Sequence, residues 1–314
     1  MKKILLAAVA LSALYVVPAQ AGNIGVSMAK FDDNFLTVLR NGMIAKAKEL
    51  GVQIQVEDAQ NDVAKQLDQI KNFAANKVDA IVVNPVDTSA TQAMSDAAAA
   101  AHVPLVYVNR QPINVDTLPE GQAFVASNEA DSGTLETKQI CKLLAAKGLK
   151  EASIYVIQGE LSNQAAVQRT KDIHDVIGGP DCGVKIKIID EQTSNWARDQ
   201  AQNLMTNWLS SGAKFDAVIA NNDESAIGAI QALKAAGKKP ADTPVGGVDA
   251  TQDALAAMKA GDLAATVFQD AAGQGAGALD AAIKLSKGEK VDRKVYIPFQ
   301  LVTPENMAGF MKKN

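Results

Sequence analysis

The chain has 314 residues, 47% of them hydrophobic but only 4% aromatic, and its 31 basic side chains against 35 acidic ones leave a formal charge of −4. That balance argues against nucleic acid and anionic membrane surfaces as partners, and two histidines (His102, His174) with two distant cysteines (Cys141, Cys182) give no zinc or haem spacing, so no metal or cofactor is expected. The length exceeds one ordinary domain and suits two lobes of about 140 to 150 residues.

Residues 1–21 have the layout of a cleaved secretory signal peptide: Lys2 and Lys3, an apolar run from Ile4 to Val17, and Ala19-Gln20-Ala21 as the cleavage site. The apolar run is short for a membrane span, the chain turns polar at Asp32-Asp33, and no cysteine follows the cleavage site to carry a lipid anchor. A released periplasmic protein is expected, beginning near Gly22 with a formal charge of about −6 once the two leader lysines are gone. In an oxidising compartment Cys141 and Cys182 read as a disulfide, with two separate buried thiols as the open alternative.

Beyond the leader, β-rich runs alternate with helical ones. Strand Asn23–Ser27 precedes a helix over Asn34–Leu50, in which Phe35, Val38, Leu39, Met43, Ala47 and Leu50 recur at helical spacing between Asp32-Asp33 and Gly51. The unit repeats as strand Val52–Val56 and helix Asp62–Asn76, strand Ala80–Val83 and helix Ser89–Ala101, then strand Pro104–Val108. After a break over Pro112–Gly121, a second series places strands at Ser153–Ile157, Val184–Ile189, Asp216–Ile219 and Pro244–Val248, with helices near Asp131–Ala146, Gln164–Ile177, Trp196–Ser210, Glu224–Ala236 and Gln252–Ala260. Alternation of this kind predicts an α/β fold of two similar doubly wound parallel-sheet lobes.

Catalytic signatures such as G-x-S-x-G, a P-loop or H-E-x-x-H are absent, so no catalytic residues are assigned. Gly273-x-Gly275-x-x-Ala278 matches a dinucleotide fingerprint weakly, and glycines permitting close helix packing are the better explanation. The more specific signal is the repeated appearance of polar residues where strands end, the position at which doubly wound sheets collect ligands. Asn84, Asn109-Arg110, Asn221-Asn222-Asp223, Asp249 and Gln269 all stand there, and their paired hydrogen-bonding atoms suit vicinal hydroxyls. Phe31 and Phe35 flank the first strand-to-helix turn and Trp196 follows a later strand, positions from which flat rings can pack on the C–H faces of a sugar or cyclitol.

With these residues the chain resembles, over its whole length, the periplasmic sugar-binding proteins of ABC transporters in the ribose-binding branch. The carriers are Asn84-Pro85-Val86-Asp87, Val108-Asn109-Arg110, Gln168-Arg169-Thr170, Asn221-Asn222-Asp223-Glu224, Gly247-Val248-Asp249-Ala250-Thr251 and Thr266-Val267-Phe268-Gln269. The resemblance implies ligand hydrogen bonds from Asn84, Arg110, Arg169, Asn222, Asp249 and Gln269, and a ring held between Phe35 and Trp196. It also implies discontinuous lobes, 22–127 plus 270–295 and 128–269 plus 296–314, joined by three crossovers and closing on the ligand like a clamp. Three departures point away from ribose: Asn109 stands where an aspartate is usual, Leu36 replaces an aromatic, and Lys30-Phe31-Asp32-Asp33 lengthens the first turn, where Lys30 or Phe31 can form a pocket wall. The run Phe31–Arg40 resembles the inositol and rhizopine branch. The expected function is therefore a non-enzymatic, monomeric periplasmic receptor that takes a neutral polyhydroxylated ring, myo-inositol or an inositol-derived amine before a pentose or hexose, and delivers it to an inner-membrane ABC permease. The rivals are a sugar-processing enzyme using Asp223, Glu224 or Asp249 as acid or base, and a transcriptional regulator on the same fold, which lacks here an N-terminal DNA-binding helix pair.

Overall fold

Val-, Ile- and Ala-rich runs bounded by Asx and Gly turns become strands buried on both faces, as parallel sheets covered by helices require. A computed structural model describes residues 22–314, and the leader expected over residues 1–21 lies outside them. In chain order the first series is β1 (Asn23–Met28), α1 (Asn34–Leu50), β2 (Gln53–Asp58), α2 (Val63–Ala75), β3 (Ala80–Val83), α3 (Thr91–Ala100), β4 (Leu105–Val108) and β5 (Gln122–Ala126). The second is α4 (Glu129–Ala146), β6 (Glu151–Gln158), α5 (Gln164–Gly178), β7 (Lys185–Thr193), α6 (Arg198–Ser210), β8 (Ala217–Ala220), α7 (Asp223–Ala235), β9 (Val245–Gly246), α8 (Gln252–Lys259) and β10 (Thr266–Phe268). α9 (Ala271–Ser286), β11 (Lys294–Tyr296) and β12 (Gln300–Val302) complete the order.

Two parallel sheets result, in the order β2-β1-β3-β4-β5-β11 and β7-β6-β8-β9. Single bridges, Gly246 with Ala265 and Asp249 with Phe268, extend the second sheet towards β10, which pairs antiparallel with β12. In each lobe the first strand lies between the second and third, so the strand order reverses there and opens a crevice at the carboxyl ends. The helices that leave those ends are capped by Asp33, Asn128, Asn163, Asn222 and Thr251, whose side chains accept the first free backbone N–H groups and hold each helix N-terminus at the crevice.

Late chain completes the first lobe. α9 packs on α1 and across β3 to β5, and β11 pairs with β5. The contact is close enough to require glycine: a Cβ on Gly275 would lie 2.2 Å from the Leu39 carbonyl oxygen, and one on Gly42 2.6 Å from that of Ala272. Of the fingerprint-like glycines of α9, Gly275 thus serves helix-on-helix approach, while Gly273 makes room for the capping side chain of Asp270. In the other lobe Cys141 of α4 and Cys182, just ahead of β7, form a disulfide with Cα atoms 5.0 Å apart.

The structure differs from the sequence expectation at several elements: β11 and β12 are strands that the sequence pattern leaves unassigned, and β9 keeps only two residues of the strand expected over Pro244–Val248. Gln122–Ala126, which the sequence pattern leaves unassigned, is β5; a short run buried on both faces has no period to announce it. The helix expected over Ser89–Ala101 is a 3-10 turn at Thr88–Ala90 followed by α3. Trp196 does not begin a helix: β7 runs on to Thr193, Asn195 (φ 52°) and Trp196 (φ 64°) are both left-handed, and α6 starts at Arg198.

Candidate functional site

Between the two sets of strand ends lies a cavity containing about 490 Å³ of unfilled space, part of it open to solvent, lined from one lobe by Asp33, Phe35, Leu36, Asn109 and Arg110. Glu129, Asn163, Ala165, Arg169, Trp196, Asn222, Glu224, Asp249, Thr251 and Gln269 complete the lining. The lobes are closed on one another around it. Asn34 Nδ2 donates to Glu224 Oε1 across the mouth (2.8 Å), the Thr88 hydroxyl donates to the Ser162 carbonyl (3.1 Å) and accepts from Gln164 N–H (3.1 Å), and Glu160 faces Lys30 (3.7 Å) and Arg110 (3.5 Å).

Local backbone explains how these side chains reach the cavity. Asn109 (φ 66°) follows β4 in the left-handed region, which asparagine tolerates better than most residues. Asp249 (φ 125°) and Ala250 (φ 52°) turn the chain sharply after β9. Such strain concentrates at functional sites. Trp196 is 8% exposed with its indole flat on Gly159, where a Cβ would lie 2.2 Å from the ring, and its Nε1–H meets no partner among the described residues. Phe35, in the first turn of α1, supplies an aromatic wall from the opposite lobe.

Arg169 is the hub of the polar set. Its Nε and Nη2 donate to the two oxygens of Glu129 (2.8 and 3.1 Å), Nη1 to the Asn221 carbonyl (2.7 Å), and Nη2 also to Gln269 Oε1 (3.1 Å). Burial works against its charge, but the Glu129 and Asp249 carboxylates override that and hold the guanidinium above its ordinary pKa. Asp249, 5% exposed, stands 3.9 Å from Arg169 Nη1, and its carboxylate accepts no hydrogen bond from the described residues. Burial, countered in part by Arg169, pushes the Asp249 carboxyl well above the usual range. Arg110 donates to the Pro85 and Val86 carbonyls (3.1 and 3.2 Å), which fixes its head at the floor of the cleft.

Of the residues anticipated from sequence, Phe35, Asn109, Arg110, Arg169, Trp196, Asn222, Asp249 and Gln269 meet in this one cavity. Asn84 lies behind the wall, wholly buried, donating to the Val108 carbonyl and to Asn109 Oδ1 (both 3.3 Å), so it orients Asn109. Phe31 is outside the lining, half-buried against the core of the first lobe with the Arg40 guanidinium 4.1 Å from its ring centroid. Glu129, Asn163 and Thr251 escape the sequence argument because each opens or caps a helix, a role that accounts for its residue type unaided. Asp223 is outside the lining: Thr251 N–H (2.8 Å) and the Thr266 hydroxyl (2.7 Å) bind it, and burial raises its pKa to about 7. His174 is at the surface on Glu191 (2.8 Å), away from the cleft. No group of three or more metal-ligating side chains occurs among the described residues, and none of their helices is long and apolar enough to cross a membrane.

Comparison with known proteins agrees with this architecture. Residues 24–290 match the periplasmic binding protein domain family. A Rhizobium meliloti protein, provisionally named a rhizopine-binding protein, is 63% identical over 100% of both chains. An ABC transporter solute-binding protein from Bacillus halodurans, solved with bound myo-inositol, superposes with a TM-score of 0.86 at 40% identity, covering 93% of this chain and 98% of the other. The Caulobacter myo-inositol-binding protein, also solved with myo-inositol, gives 0.82 at 29% identity, covering 94% and 97%. These relatives are binding proteins, and the chain belongs with them to the periplasmic binding protein family.

Proposed function

We propose that this protein is a periplasmic receptor for a cyclitol, a six-membered polyol ring, which it encloses and presents to an ABC permease of the inner membrane. The observation that carries the reading is the combination of Phe35 and Trp196, one from each lobe, with Asn109, Arg110, Arg169, Asn222, Asp249 and Gln269 in a single closed cleft. Ring faces stack on the aromatic walls while equatorial hydroxyls meet fixed donors and acceptors. A stereoisomer with a misplaced hydroxyl would strand buried polar groups, which rejects it far more strongly than shape alone. The similarity to two proteins solved with myo-inositol supports a cyclitol over an aldose.

The mechanism follows from the contacts across the mouth. Ligand bridges the lobes from inside while the Asn34–Glu224, Thr88–Ser162 and Lys30–Glu160 contacts close from outside, so binding and closure are one equilibrium. The donor set offers hydrogen bonding and positioning, and two of the three acids that could serve an enzyme are engaged, Asp223 in backbone and threonine bonds and Glu224 on Arg198 (2.7 Å), which of the three leaves Asp249 in the lining without a hydrogen bond from the described residues. A single folded chain, acting as a monomer after removal of its leader, is sufficient for this role. A thermal-shift screen of the mature protein against cyclitols, pentoses, hexoses and linear polyols tests the reading. At 100 times its dissociation constant a ligand adds about 2.7 kcal/mol to native stability, so myo-inositol or a derivative should raise Tm by several degrees. A response confined to aldoses would overturn the cyclitol assignment.

A further inference from the structure

The chain passes between the lobes three times, from β5 to α4, from β10 to α9 and from β11 to β12, and any rotation of one lobe on the other has to be absorbed in those segments. The passage from β10 to α9 is held by one side chain from far along the sequence. Asn314 Nδ2 donates to the Asp249 and Gln269 carbonyls (both 2.7 Å), and its Oδ1 accepts from Ala271 N–H (3.2 Å). Gln269 follows β10 in the second lobe and Ala271 opens α9 in the first, so a single carboxamide grips both sides of the crossing.

The segment that delivers Asn314 is anchored before it arrives. Phe310, 7% exposed, packs on Phe268 with ring centroids 5.2 Å apart, the Lys313 ammonium lies over both rings (4.7 and 5.2 Å), and the main-chain oxygen of Asn314 accepts from Gln252 Nε2. Such anchoring removes much of the ordering cost from the bonds that Asn314 makes. Its residue type fits as well, since a short carboxamide offers two N–H donors to two carbonyls and an acceptor to an N–H on one rigid group. The Asp249 carbonyl has as its other partner among the described residues only Gln269 N–H, at 3.3 Å.

We propose that Asn314 is a positioning residue for the cleft: by fixing the main chain at Asp249, Gln269 and Ala271 it holds the Asp249 and Gln269 side chains in the lining and favours the closed arrangement of the lobes. The proposal rests on the receptor reading and deepens it. Asn314 stands outside the lining and acts only through its neighbours. Asp249 depends on it most, because a φ of 125° is a strained conformation that persists only while the surroundings enforce it. When the lobes part, Ala271 travels with α9 while Asp249 and Gln269 stay with the second lobe, so opening draws the partners of the carboxamide away from one another and closure brings them back.

Hydrogen-exchange mass spectrometry, urea denaturation and calorimetric titration with myo-inositol, on the mature protein and its Asn314→Ala and Asn314→Asp variants, test this. Without ligand, Asn314→Ala should speed exchange about tenfold in the segments holding residues 249–251 and 269–273, with the other strands and the urea midpoint near their wild-type values. Myo-inositol should bind about tenfold more weakly, chiefly through faster dissociation followed by stopped-flow tryptophan fluorescence. Asn314→Asp keeps the acceptor for Ala271 but sets a second oxygen against two carbonyls, so it should bind no better than Asn314→Ala. Unchanged exchange at both segments would overturn the proposal, as would exchange raised throughout the second lobe with a lowered urea midpoint, the mark of general packing. Wild-type affinity in both variants would overturn the link to the cleft. Failure of the wild-type protein to bind myo-inositol would count against the cyclitol reading alone, and the ligand-free exchange then decides for or against Asn314.

Discussion

The indole of Trp196 lies against the α-carbon of Gly159, so closely that any side chain at that position would enter the ring, 2.2 Å from its nearest atom. The glycine sets the height of the aromatic wall, and the left-handed backbone at Trp196 sets its tilt. Gly159→Ala should lift the indole into the cleft and weaken cyclitol binding by about 1–3 kcal/mol, much as Trp196→Ala should by deleting the face. Titration calorimetry on both variants, with tryptophan fluorescence as a second reading, measures it. Full affinity in Gly159→Ala would mean that the ring does not touch ligand.

Arg169 differs from Arg110 in what its loss leaves behind. With the arginine gone, Glu129 loses its bidentate partner and Asp249 its sole nearby cation, both buried. Arg169→Ala should cost about 3–5 kcal/mol of folding stability as well as ligand binding, whereas Arg110→Ala, which frees two carbonyls and leaves Glu160 with Lys30 still 3.7 Å away, should cost mainly binding. The buried hub makes Arg169 a determinant of folding as well as of binding. Urea denaturation separates the two, and equal midpoints would contradict the hub role.

The Cys141–Cys182 bridge spans 41 positions of sequence and ties the body of α4 to the chain entering β7. Loop-closure entropy gives it about 4 kcal/mol of stability. Paired Cys→Ser substitution, or dithiothreitol during denaturation, should lower the urea midpoint accordingly while leaving the affinity of the still-folded protein near its original value, since neither cysteine lines the cleft.

Asp172 on α5 is 3% exposed, one of its oxygens has no hydrogen-bond partner among the described residues, and burial raises its pKa from 3.8 to about 7; Asp223 rises to about 7 from the same cause. Carboxyls whose folded pKa exceeds the unfolded one keep their protons in the native state, so their contribution is complete below about pH 4 and disappears as the pH climbs through 7. Native stability should accordingly fall, on the order of 2 kcal/mol, between pH 5 and pH 8. Asp172→Asn should flatten part of that slope in denaturation curves taken across the range, and a stability that rises with pH would contradict the argument.

The lobes and most of the cleft could be read from residue order because strand ends in doubly wound sheets face one another, and a polar residue after an apolar run therefore says where it will stand. Position does not say which way a side chain points. Asn84 and Asn109 occupy equivalent ends of neighbouring strands, yet the first is used up orienting the second. Glu129 gave no signal because an acid in the first turn of a helix is ordinary, and only the fold brings Arg169, 40 positions later, against it. β5 and the start of α6 were missed for opposite reasons, the one too uniformly buried to show a period and the other interrupted by two left-handed residues that no local pattern requires.

The tight seating of α9 on α1 also constrains the order in which the molecule can mature. Gly42 and Ala272 touch across about 230 positions, and that kind of distant pairing slows folding because a large loop must close before the contact rewards it. An emerging chain that has not yet released residues 271–296 lacks the helix that covers α1 and the strand that pairs with β5, so its first lobe stays incomplete until nearly the last residues arrive. On the proposed periplasmic route, where the chain crosses a membrane before it folds, that delay would keep the amino-terminal half pliable for the length of the passage.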